Sequence, residues 1–376
     1  MKIIVDNKIP FIKGVLEPYA EVVYKAGAQT TAADAVDADA LITRTRTICN
    51  ASLLEGSKVK AIATATIGFD HIDTAWCEAN GIAWSNAPGC NSWSVKQYIS
   101  SVLAVLAGLH GLDLGKLTLG VVGVGNVGSK VADAGRAFGM NVLLNDPPRA
   151  RKEGPEAFVD LDTLLRQSDI VTVHVPLSNE GEDATWHLFD SGRIGSMRPD
   201  QILINSSRGP VVDNMALKDA LKKHALKGAV LDVWETEPDL DSELVSLLDL
   251  STPHIAGYSA DGKANGTSMS VRYVSRQLGL PLTEWSAKDV PAPRQALDFV
   301  IDAAGKSVQD VLSEAVLYTY DVREDSTALL SKLNLFEKLR GDYMIRREPS
   351  AFTVTLKNAS EELASRLRVL GFNVVL

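Results

Sequence analysis

The chain has 376 residues, of which 45% are hydrophobic and 23% charged, and its net charge is −9. That composition suits a soluble globular protein with at least two cores, and the acidic balance argues against a general nucleic-acid binder, which needs a basic surface to release counterions. Three cysteines, Cys49, Cys77 and Cys90, are odd in number and form no CxxC pair, so no disulfide framework and a reducing, cytoplasmic setting are expected.

The amino terminus, MKIIVDNKIP, lacks the apolar core of a signal peptide and reads as a first strand. Residues 2–5, 40–43, 60–65 and 81–85 predict strands, and residues 18–26 and 74–80 predict helices, giving a compact α/β domain. The acids Asp34, Asp37 and Asp39 lack the loop glycine and closing glutamate of an EF-hand and read as a solvated helix end. Pro88 and Gly89 close this region, and an apolar helix over 94–109, too short to span a bilayer, carries the chain onward.

Residues 116–146, KLTLGVVGVGNVGSKVADAGRAFGMNVLLND, then read as strand, glycine turn, helix and strand. Val127, Val131, Ala134 and Phe138 share one helix face. Gly123 suits the tight turn, Gly125 the approach of a pyrophosphate, and Gly128 the packing of helix on strand. The free N–H groups of the helix start face the phosphates. Asp146 falls where a carboxylate accepts hydrogen bonds from an adenosine ribose, which favours NAD over a cofactor with a 2′-phosphate. Arg149 and Arg151, just downstream, are the residues that speak for a 2′-phosphate.

Residues 169–175, 202–205 and 229–233 continue as strands and 216–223 as a helix, so a parallel sheet is expected, with ligands beyond its C-terminal strand ends. A helix over 262–278 precedes a linker marked by Pro281, Pro291 and Pro293. Beyond it the pattern predicts a helix over 308–318, a charged turn over 321–325 and strands over 352–356 and 372–376. These last two flank a helix with Leu363, Leu367 and Leu370 on one face and a capping box from Asn358 to Glu361.

Three segments follow strands of the expected sheet: NSSRGPVVD (205–213), LDVWETEP (231–238) and TPHIAGYS (252–259). Moving a hydride from a carbon that bears a hydroxyl requires a base for the hydroxyl proton, and His254 is the candidate. Glu237 is its expected partner, since a neighbouring carboxylate favours imidazolium and fixes the tautomer. Arg208 offers a planar fork for a substrate carboxylate. Taken singly, each also reads as an ordinary loop or turn residue. Among the other histidines, His71 and His187 read as local hydrogen-bonding residues, His110 and His224 as helix-end surface positions, and His174 as the floor of the cofactor cleft. No HExxH or cysteine cluster supports a metal site.

In order and spacing, the glycine turn with Asp146, the Arg-Gly after INSS, and the LDVWETEP and TPHIAG segments resemble the D-2-hydroxyacid dehydrogenases. In that family the arginine binds the substrate carboxylate, the histidine is the acid/base and the glutamate supports it, which maps onto Arg208, His254 and Glu237. The resemblance implies cofactor contacts at Gly123, Gly125, Asn126, Val127, Gly128, Asp146, Val175, Ser206, Ser207, Arg208, Asp232 and Gly257. It implies substrate contacts at Thr45, Thr66 and Tyr258. Arg44 and Arg46, and beside them Arg346 and Arg347, are the candidate holders of a phosphate.

Further stretches (MKIIVDNKIP, TATIGFDHID, APGCN, DPPRA, HIAGYSADGKANGT, YDVRED and FEKLRGDYMIRRE) narrow the likeness to members that oxidise D-erythronate 4-phosphate at C2 with NAD, in pyridoxal 5′-phosphate biosynthesis. The fold then expected is α/β: a Rossmann-type NAD domain over 94–258, a discontinuous flavodoxin-like substrate domain over 1–93 and 259–285, and a small C-terminal α+β domain over 290–376 that joins a homodimer. Gln97 departs from the glutamate expected there and concerns packing. The rival readings are a glycerate- or 3-phosphoglycerate-type dehydrogenase, and a binding protein that senses NAD.

Overall fold

The computed structural model describes residues 1–376, and the chain divides into two compact units, Met1–Asn91 with Ser259–Pro291 and Ser92–Tyr258 with Ala292–Leu376. No helix is long and apolar enough to cross a membrane.

The first unit is built on five parallel strands, β1 (Lys2–Asp6), β2 (Glu21–Lys25), β3 (Ala40–Thr43), β4 (Ala61–Thr64) and β5 (Ala83–Ser85), in the order β2-β1-β3-β4-β5. This is the flavodoxin-like order. Successive side chains of a strand point to opposite faces, and here both faces are covered. Ile3, Val5, Ile42 and Ala63 pack with Val271 and Val274 of the helix Ala260–Leu278, while Ile4, Leu41 and Ile62 pack with Leu54 and Cys77. Burial on both sides explains why these strands read as unbroken apolar runs. The helix expected over 18–26 is not formed. β2 takes its place, because the β-branched pair Val22 and Val23 falls in register with Ile3 and Ile4 of β1.

The second unit holds six parallel strands, β6 (Thr118–Val122), β7 (Asn141–Asn145), β8 (Ile170–Val173), β9 (Ile202–Asn205), β10 (Gly228–Leu231) and β11 (Leu250–Ser251), ordered β11-β10-β9-β8-β6-β7. The same alternation splits the core in two. Leu119, Val121, Ile204 and Val230 face Val102, Leu106 and Val131, and Val122, Val173, Leu203 and Leu231 face Leu164, Leu217 and Leu244. The strand order reverses at β6, which has β7 on one side and β8 on the other. A ligand crevice belongs beyond the C-terminal strand ends at such a point.

The C-terminal region packs into this second unit and adds a parallel sheet of its own, β12 (Asp298–Asp302), β13 (Thr353–Lys357) and β14 (Asn373–Val375). β12 was not foreseen: it follows the proline linker at once, and its edge position leaves Val300 57% exposed, blurring the apolar signal. The charged stretch 321–325 is the capped start of a helix, Val322–Ser331, whose first turn carries Glu324 and Asp325 as the helix dipole favours. Ser360, not Asn358, caps the helix Glu361–Leu370, accepting from the Leu363 N–H at 3.2 Å. Asn358 instead takes φ +53° and donates to Asp302 at 2.8 Å. The helix Ser92–His110 is buried along most of its length because it packs on both Asn126–Ala137 and Val308–Thr319.

Candidate active site

Every sequence-predicted cofactor residue of the second unit follows the C-terminal end of one of its parallel strands. After β6, Gly123 adopts φ +84°, and a Cβ there would stand 2.7 Å from the His174 carbonyl oxygen, so only glycine fits. Gly125 is the N-cap of the helix Asn126–Ala137, with Asn126, Val127 and Gly128 in its first turn. After β7, Asp146 accepts the Val124 N–H at 2.8 Å and the Arg149 N–H at 3.1 Å. It thereby ties the glycine turn to the helix Pro147–Glu153.

The two arginines that spoke for a 2′-phosphate are both paired. Arg149 bonds Glu153 at 2.6 and 2.9 Å, and Arg151 pairs with Glu182 and Asp183. After β8, His174 lies 3.0 Å from the Thr172 hydroxyl, and burial pushes its imidazole down to about 3, so it stays neutral. Val175, next along, is half-buried.

After β9, Asn205 organises the turn: its side-chain oxygen accepts the Ser207 N–H at 3.0 Å and hydroxyl at 2.8 Å, and its amide donates to the Arg208 carbonyl at 3.0 Å. The Ser206 hydroxyl is buried with no hydrogen-bond partner in the protein, an arrangement that calls for a ligand or water. Together, the glycine turn, the Asp146 carboxylate and this orphaned hydroxyl fit a dinucleotide without a 2′-phosphate.

After β10 and β11 the catalytic candidates meet. His254 Nδ1 lies 2.9 and 3.1 Å from the two carboxylate oxygens of Glu237, which leaves Nε2 for a substrate. Burial pushes the Glu237 carboxyl up, but the bond and charge of His254, the Trp234 N–H and the Arg340 cation outweigh it, and the group rests below its ordinary 4.5. The loop that carries Glu237 is fastened by its neighbours. Glu235 lies 2.6 Å from His187 Nε2 and accepts the Asn214 N–H at 2.8 Å. A Cβ on Gly209 would stand 2.0 Å from the Trp234 carbonyl oxygen, so the Arg208 turn runs directly against this loop.

The His254 segment is fixed from beneath. Asp232, 1% exposed, accepts the Thr252 hydroxyl at 2.6 Å and the Ile255 and Ala256 N–H groups at 2.8 and 2.9 Å. Arg346, 2% exposed, donates to the Ala256 carbonyl at 2.6 Å and lies over the Tyr320 ring. It is built into the core beneath this segment. Arg347 offers its carbonyl to the Gln97 amide at 3.0 Å. Gln97 is 2% exposed and also donates to Thr319 at 3.3 Å, two bonds that an ionised glutamate has no N–H to make.

In the first unit, Thr45 and Thr66 each lie two residues beyond the ends of the neighbouring strands β3 and β4. Thr45 is exposed, and the Thr66 hydroxyl lies 2.7 Å from that of Thr64 and donates to the Gly68 carbonyl at 2.9 Å. Arg44 is half-buried and Arg46 exposed. His110, expected at the surface, instead pairs with Asp249 at 3.1 Å. Sequence reasoning passed over Arg340, which lies 3.2 Å from the Tyr258 hydroxyl. Nothing but its place in the run FEKLRGDYMIRRE marked it.

Residues 96–256 match the NAD binding domain of the D-isomer specific 2-hydroxyacid dehydrogenases, and residues 297–371 match a domain of unknown function. The chain is 50% identical over 357 residues to an erythronate-4-phosphate dehydrogenase of Bacteroides fragilis, covering 95% of this chain and 99% of that one. It is 43% identical over 376 residues to the Proteus mirabilis protein of the same name, covering 99% of each. Among solved structures, a D-lactate dehydrogenase from Aquifex aeolicus, complexed with NAD and lactic acid, superposes with a TM-score of 0.63 at 27% identity, over 74% of this chain and 96% of its own.

Proposed function

The chain belongs to the D-isomer specific 2-hydroxyacid dehydrogenases, among the erythronate-4-phosphate dehydrogenases, and from that premise we propose that it oxidises D-erythronate 4-phosphate at C2 to 2-oxo-3-hydroxy-4-phosphobutanoate. NAD, when bound, supplies the acceptor for the hydride that leaves C2. The observation that carries the reading is the 2.9 Å contact of His254 Nδ1 with Glu237. With Nδ1–H donated to the carboxylate, Nε2 keeps its lone pair and takes the C2 hydroxyl proton as the carbonyl forms. Glu237 stabilises the imidazolium that results, and its lowered carboxyl keeps it charged for that task.

Arg208 grips the substrate carboxylate with its planar fork, and its charge polarises the new carbonyl in the reverse direction. Asp146 holds the ribose hydroxyls, while the N–H groups at the start of the helix Asn126–Ala137 receive the pyrophosphate. Ser206, Ser207, Asp232, Val175 and Gly257 line the cofactor. Thr45, Thr66 and Tyr258 donate to substrate oxygens, and Arg44 and Arg46 add positive charge. We further propose a cytoplasmic homodimer joined through residues 290–376; the three buried cysteines suit a reducing compartment.

The deciding experiment incubates purified protein with NAD and a panel of 2-hydroxy acids, with and without a terminal phosphate, and follows reduced nicotinamide. Turnover of D-erythronate 4-phosphate ahead of glycerate and 3-phosphoglycerate is expected. A preference for either of the latter would reassign the substrate.

A further inference from the structure

Arg340 stands on the helix Phe336–Gly341, and its guanidinium is held against aromatic faces. Its carbon is 5.7 Å from the centre of the Tyr258 ring and 5.5 Å from that of Phe336. The polar contacts of the group are long: Nη2 is 3.2 Å from the Tyr258 hydroxyl and Nη1 is 3.5 Å from Glu337. Its Nε is buried without a hydrogen-bond partner. A guanidinium carries five N–H donors in a rigid fork, and here they are far from used up. The cation is also close enough to Glu237 to help hold that carboxyl down, so it stands near the pair that handles the C2 proton.

The proposed substrate has two anionic ends, and Arg208 answers only the carboxylate. A phosphate dianion needs charged donors of its own. Arg346 is 2% exposed, stacked on the Tyr320 ring and bonded through one nitrogen to the Ala256 carbonyl, with its Nε and Nη1 enclosed and unpartnered; Arg340 is the arginine that reaches the Tyr258 hydroxyl. The relatives fit this division of labour. The D-lactate dehydrogenase, whose bound acid has no phosphate, matches 74% of the chain. The relatives named for a phosphorylated acid match 95% and 99% of it, and Arg340 lies within the matched domain of unknown function.

We propose that Arg340, with the Tyr258 hydroxyl, binds the terminal phosphate of the substrate, so that the C-terminal region supplies the cation that selects a phosphorylated acid. The inference rests on the reaction assigned above.

The test compares kcat/KM of the wild type, Arg340→Gln and Arg340→Lys on D-erythronate 4-phosphate and on D-erythronate, with NAD. Losing a charge-assisted contact with a dianion is expected to lower kcat/KM on the phosphorylated acid by about 100-fold, mostly through KM. The fall on the unphosphorylated acid is expected to be far smaller, so the preference for phosphate collapses, and Arg340→Lys should regain part of it. Equal losses on both acids would overturn the proposal and leave Arg340 a prop for the Tyr258 ring. Should the wild type turn over neither acid, the reaction assignment fails, and calorimetric binding of inorganic phosphate still tests the contact. Weaker binding by Arg340→Gln than by the wild type supports it, and equal binding removes it.

Discussion

His254 adopts φ +56°, a left-handed conformation that costs a non-glycine residue about 1 kcal/mol or more. The segment around it is held by the Asp232 carboxylate below and by Arg346 on the Ala256 carbonyl, so the ring is positioned before any substrate arrives. His254→Ala should therefore lower kcat by at least about 100-fold while NADH, titrated by its nicotinamide fluorescence, binds almost as before; a variant with near-normal turnover would remove the base. Glu237 allows a signed test. Its folded carboxyl lies below the ordinary 4.5, so its contribution to stability is fully present above that value and is lost as the pH falls through the folded one. In Glu237→Gln this acid-side dependence should vanish from urea unfolding. Its kcat should also fall, because a neutral amide no longer stabilises the imidazolium formed as the C2 hydroxyl proton is taken up.

The helix Ser92–His110 joins the two ends of the second unit through its polar residues as well as its apolar ones. Lys96 stands over the Trp93 ring, 4.5 Å from its centre, and donates to the Val369 carbonyl in the last turn of the helix Glu361–Leu370, where carbonyls lack partners within the helix. Burial pushes this lysine down to about 8 from its ordinary 10.5. Below about 8 the folded chain keeps a charge in a desolvated place, and that penalty is relieved as the pH rises toward 10.5. The wild type should consequently gain stability relative to Lys96→Met across that window. Urea midpoints measured on either side of it would read the gain, and parallel pH profiles for the two proteins would contradict it.

At the scale of the molecule, the C-terminal region and the cofactor sheet share one core. Val311, Leu312, Val316, Phe352 and Leu367 are buried in the same cluster as Val102, Leu106, Val121 and Val131. Fully burying such side chains contributes roughly 1.5–3 kcal/mol each, and the net stability of a domain is only about 5–15 kcal/mol. A chain ended at residue 291 should therefore fail to give a soluble, cooperatively unfolding protein. A sharp thermal transition in that truncation would mean that the region is dispensable to the core. Sedimentation of the full chain tests the proposed homodimer, for which a monomer at all concentrations is the contrary result.

The sequence alone was enough for whatever depends on neighbours along the chain. The glycine turn from Gly123 to Gly128 and the helix after it follow from local backbone geometry and a 3.6-residue period. The segments bearing Arg208, Glu237 and His254 stand out because each follows an apolar strand. Only the tertiary structure decided that residues 21–25 pair with β1 instead of coiling and that β12 completes a third sheet, since strand pairing depends on distant partners. It also decided that Arg346 is enclosed while Arg340 reaches Tyr258. A lone arginine in a charged run reads alike in either case, and which of the two meets solvent, a ring or an anion is set by how helices far apart in the chain come to pack.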